Sequence, residues 1–85
     1  YEGYIMNDTM LDLLENIRIC NNLVSSAATP ETREARLCEQ YEFINKLDTQ
    51  IRLASLLVCI ATEKDEEPEE REQAREELLC MIGAL

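Results

Sequence analysis

The sequence predicts an all-α fold: a three-helix antiparallel bundle, up-down-up, built on a long central helix whose open surface a second copy could complete by dimerisation. Three observations predict it. The 85 residues include only 2 glycines, 2 prolines and 1 phenylalanine, with no tryptophan and no histidine. Leucine, glutamate, alanine, isoleucine and arginine dominate instead, a helix-forming composition. Positions 31–67 hold neither glycine nor proline, and their second half contains the nearly all-apolar run Ile51-Arg52-Leu53-Ala54-Ser55-Leu56-Leu57-Val58-Cys59-Ile60-Ala61. Each proline follows a short polar stretch, which is where proline fits a helix start.

The first helix is expected over about 8–25. Asn7, Asp8 and Thr9 are all good caps, and Met10, Leu13, Ile17, Cys20 and Val24 then recur at three- and four-residue steps. The small polar stretch 25–29 leads to Pro30, with Thr29 as cap and Glu31 at the positive end of the helix dipole. A second helix over about 30–63 would be roughly 50 Å long at about 1.5 Å per residue. Its seam is Leu37, Ile44, Leu47, Ile51, Ala54 and Val58, and Asp48-Thr49 is the point where it could break, since neither residue favours a helix interior. The charged loop 62–67 leads to Pro68 and a third helix over about 68–82, with the seam Ala74, Leu78, Met81 and Leu85 and with Gly83 as its stop. Helices one and three together nearly equal helix two, so each can pack along one half of it, and short connections favour antiparallel neighbours.

Length and charge bound the function. The chain suits a single helical domain over 1–85 with a small core, because a chain of this size buries only about 60 to 65% of its unfolded surface. Its formal charge of −10, from 18 acidic against 8 basic residues, repels phosphate backbones and anionic lipid, so no direct nucleic-acid binding is expected. No run approaches the roughly 18 apolar residues that span a bilayer, and the segment from Tyr1 to Met6 lacks the basic and apolar blocks of a signal peptide. No membrane association and a cytoplasmic location are expected.

No reaction chemistry stands out. Cys20, Cys38, Cys59 and Cys80 are isolated, with no C-x-x-C pair, and without histidine a zinc site or an activated thiol lacks its usual partners. The cysteines read as small buried apolar residues, although Cys20 and Cys38 would come level if helices one and two fold back on each other. No catalytic residue, metal site or cofactor is expected, and the chain does not read as an enzyme. Nine of the 18 acidic residues fall between Glu63 and Glu77. Glu63, Asp65, Glu66, Glu67, Glu69 and Glu70 form a candidate acidic face, and the plainer account is a solvated loop and helix start in which glutamates favour the dipole and pair with Arg71 and Arg75.

The apolar run points outward. It is apolar nearly all round, and one neighbouring helix cannot cover it. Leu53, Leu56, Leu57 and Ile60, with Ile19 and Leu23 on helix one, are the candidate interface residues, and Leu57→Glu is expected to dissociate an oligomer while helicity survives. The expected function is a small acidic protein-protein interaction module, whether adaptor, regulator or chaperone-like, acting through an exposed apolar helix face on a protein partner or as a homodimer. The rival from another class is an acidic inhibitor, phage-type or antitoxin-like, occupying a basic nucleic-acid-binding site on a target protein.

Overall fold

A computed structural model describes residues 2–84 of the chain. Among them are three α-helices and no strand: α1 (Met10–Ser25), α2 (Pro30–Thr62) and α3 (Pro68–Ile82). Leu85, the last member of the expected α3 seam, lies outside the described residues.

Local chemistry sets the helix ends. Of the three candidate caps before α1, Thr9 is the one used: its Oγ1 accepts from the Asp12 N–H at 3.2 Å and donates to Asp12 Oδ2 at 2.7 Å. Thr29 caps α2 in the same way, accepting from the Thr32 N–H at 3.2 Å, with Pro30 in the first turn. Glu67 precedes Pro68 at the start of α3 without a side-chain cap bond. Gly83 ends α3 in the left-handed region at φ 98°, and the Gly83 and Ala84 N–H groups both donate to Leu79 O, at 3.1 and 2.9 Å.

α2 continues for 33 residues through Asp48-Thr49. Neither residue interrupts it there: Thr49 Oγ1 donates back to Asn45 O at 3.1 Å, and Asp48 pairs with Arg52 at 3.2 Å one turn on.

The molecule is a rod of 56 × 19 × 14 Å, long in the direction of α2. α2 packs against both α1 and α3, which barely touch one another. Their meeting point is Gly83, where an added Cβ would lie 3.0 Å from Thr9 Oγ1 and 3.7 Å from Leu11 Cβ, so glycine serves both the αL turn and the close approach. Gln40 Nε2 of α2 donates to Ile17 O of α1 at 3.0 Å, and Gln50 Nε2 donates to the O of Asp8, two residues before α1. Between α2 and α3, Leu57 and Ala74 are both buried and line one cavity, and Ala54 of α2 is buried as well. The core is thin as a result: the buried apolar residues are Leu13, Cys20, Ala54, Leu57 and Ala74, joined by the fully buried Asn16.

Candidate interaction surface

A helix in contact with partners on part of its circumference leaves the rest to solvent, and on α2 much of that remainder is apolar. Successive residues of an α-helix turn by about 100°. Leu47, Ala54 and Leu57 face the packed side, half-buried or buried. Ile44, Ile51 and Val58, seven residues apart in turn, form a row on one flank and are 42%, 46% and 45% exposed. Leu53, Leu56 and Ile60 form a second row on the other flank, at 49%, 62% and 38%. The expected α2 seam therefore divides: its Leu47 and Ala54 turn inward, while its Ile44, Ile51 and Val58 lie outside.

The second row borders a groove between α2 and α3. One cavity of about 250 Å³ is lined by Leu57, Ile60, Glu66, Glu70, Gln73, Ala74 and Glu77. A larger one of about 800 Å³, where α2 and α3 meet the segment that leads into α1, shares Gln73 and Glu77 with it and adds Leu53, Gln50, Cys80 and Met81 as well as Asp8 and Glu76. The floor is apolar and the rim acidic. At the rim the neighbouring Glu70 carboxyl raises the pKa of Glu66, by hydrogen bonding that favours the protonated form and by repulsion between the like charges.

The candidate residues separate into groups. Leu53 and Ile60 are exposed along the groove side of α2 and Leu56 is exposed beyond its edge, whereas Leu57 is only 8% exposed and belongs to the α2 packing against α3. A charge at Leu57 therefore strikes the core of one chain, and it is not the substitution that isolates an interface. Ile19 and Leu23 on α1 are half-buried. Of the acidic candidates, Glu66 and Glu70 come together at the groove, while Glu63, Asp65, Glu67 and Glu69 are exposed in the loop and first turn of α3.

The cysteines correct one expectation. Only Cys20 is buried; Cys38, Cys59 and Cys80 are exposed, and all four thiols are free. No group of three or more cysteine, aspartate or glutamate side chains suited to a metal ion occurs among the described residues. None of the described helices is long and apolar enough to cross a membrane.

Sequence reasoning missed the N-terminal segment, which is built into the structure. Asn16 Nδ2 donates to Ile5 O at 2.8 Å and the Ile5 N–H donates to Asn16 Oδ1 at 2.7 Å. Beside it, the Tyr4 ring meets Phe43 edge-on, with centroids 5.1 Å apart. Tyr4 Oη donates to Glu39 and accepts from Cys20 Sγ at 3.0 Å, and Arg36 Nη1 holds the other Glu39 oxygen at 2.8 Å. Burial, with the Cys20 and Glu39 bonds behind it, pushes the Tyr4 hydroxyl well above its ordinary pKa. For Glu39, burial pushes upward, but the bonds from Tyr4 and Arg36 together outweigh it and leave the carboxyl below the usual range. A signal for this was present: Asn16 sits at helical spacing from Leu13 and Cys20, and a polar residue in an apolar stripe needs a buried partner.

No protein-family model matches the chain, and neither a curated protein nor a solved structure shows significant similarity to it.

Proposed function

We propose that this chain is a small acidic interaction module, a regulator or adaptor, that self-associates through the exposed face of α2. The single observation that carries the reading is the row Ile44, Ile51 and Val58, β-branched, seven residues apart and each about half exposed on a helix of 33 residues. Seven-residue spacing of such side chains is what a helix pair interdigitates along. A functional site that depends on reaction chemistry has no comparable support, whereas apolar surface of this regularity favours association.

The proposed topology is up-down-up. Supporting it, Asp8 meets Gln50 and Ile17 meets Gln40, and the links between helices are only a few residues long. In this arrangement α1 and α3 occupy successive halves of α2, and the Ile44 row is left for a second copy. Two such rows, each side chain gaining about half the 1.5 to 3 kcal/mol of full burial, supply about 4 to 9 kcal/mol in gross before association costs are subtracted. That magnitude fits a concentration-dependent dimer.

Ile51→Glu tests the interface. Sedimentation equilibrium of this variant should show dissociation while circular dichroism keeps the wild-type helicity. A variant that associates as the wild type does removes the Ile44 row from the interface.

A further inference from the structure

We propose that the groove between α2 and α3 takes an amphipathic helix of a partner protein, one whose apolar face is flanked by lysine or arginine. This rests on the reading of the chain as an interaction module and adds the chemistry of what it binds.

The groove has the form such a helix needs. Gln50, Leu53, Leu57 and Ile60 follow one another at three- and four-residue steps along α2, as do Glu66, Glu70, Gln73, Glu77 and Cys80 along α3. Because the two cavities share Gln73 and Glu77, they form one channel about 15 Å long on the α2 side, the length of about three helical turns. Leu53 and Ile60 stand exposed along it and require an apolar face opposite.

Charge selects the occupant. Asp8, Glu66, Glu70, Glu76 and Glu77 border the channel, and no lysine or arginine is among its lining residues; Arg71 and Arg75 of α3 line neither cavity. A second copy laid in the channel, presenting the same lining carboxylates, would oppose like with like there. Nucleic acid and anionic lipid meet the same repulsion. A cationic side chain reaching Glu66 and Glu70 would instead relieve the repulsion that Glu70, Glu63 and Glu67 exert on the Glu66 carboxyl. The channel is also independent of the Ile44 row: Leu53 and Ile51 project about 160° apart around α2, so both surfaces can be occupied at once.

The test uses the full chain and two labelled peptides about 14 residues long, of identical leucine and lysine content. One places leucine at helical spacing on a single face; the other is scrambled so that no face forms. Fluorescence anisotropy near physiological salt should show the patterned peptide binding at least about tenfold more tightly than the scrambled one. Leu53→Ser should weaken it by about tenfold and the double change Glu70→Gln, Glu77→Gln by about threefold to tenfold, while Ile51→Glu leaves it unchanged. If Leu53→Ser loses helicity, Ile60→Ser takes its place. Equal binding of the two peptides, or full affinity in either groove variant, overturns the proposal. A chain that is monomeric at every concentration yet discriminates the peptides refutes self-association and keeps the groove; a dimer that does not discriminate them does the reverse.

Discussion

Asn16 and Ile5 are joined by a two-way amide clasp. The carboxamide of a fully buried side chain holds both the N–H and the C=O of one residue, at 2.7 and 2.8 Å. Removing the carboxamide takes both hydrogen bonds from the backbone of half-buried Ile5 and leaves a gap at a fully buried position, and an unmade buried hydrogen bond costs about 1 to 3 kcal/mol. Asn16→Ala should therefore destabilise the chain by about 2 to 4 kcal/mol in urea unfolding, and the N-terminal segment should become the first site of limited proteolysis. An unchanged midpoint would mean that the clasp contributes nothing in solution.

Leu57 and Leu56 are neighbours with opposite fates. Leu57 is 8% exposed and Leu56 62%. Leu57→Ala should lower stability by about 2 to 4 kcal/mol, whereas Leu56→Ala should stay within about 0.5 kcal/mol. Thermal unfolding of the pair, followed by circular dichroism, checks both; equal losses would place Leu56 in the core as well.

How much of this was legible in the sequence depends on what sets each feature. Caps, prolines and Gly83 act locally, and Thr9, Thr29, Pro30, Pro68 and Gly83 stand where their own chemistry puts them. Periodicity marked α2 as apolar on several sides, but it could not say which side α1 and α3 would take. That choice depends on which faces allow close approach, and the buried residues of α2 and α3 are Ala54, Leu57 and Ala74, two of them small. Ile44, Ile51 and Val58 share a seam with Leu47 and Ala54 at seven-residue spacing, yet they fall outside because the helix rotates them past the contact. The Asn16 clasp depends on a segment distant in sequence, and no periodic pattern encodes that.

The carboxyl pair and Tyr4 respond to pH with defined signs. Glu66 has a raised pKa in the folded chain, so its stabilising contribution is present below the ordinary 4.5 and lost as pH rises through its folded value. Carboxyl NMR titration should find Glu66 above the usual glutamate range and returning toward it in Glu70→Gln. Tyr4 is also raised, so its contribution is intact below the ordinary 10.0 and declines as pH rises beyond it. Alkaline unfolding should be less steep in Tyr4→Phe; identical profiles for variant and wild type would remove Tyr4 from the alkaline response.

The thiols divide by position. Cys38, Cys59 and Cys80 are exposed and Cys20 is enclosed beneath Tyr4. A chromogenic thiol reagent should react quickly with three groups per folded chain and with the fourth only on unfolding, and Cys20→Ala should leave the fast phase intact. Four fast thiols would mean that the N-terminal segment does not cover Cys20.

The most direct measurement is the solution mass by light scattering across a concentration series, with and without reductant. Self-association through α2 predicts a mass rising from one chain to two with concentration, the same in reductant, because the row that joins the copies is Ile44, Ile51 and Val58. A mass of one chain at every concentration, or a dimer that reductant abolishes, contradicts it.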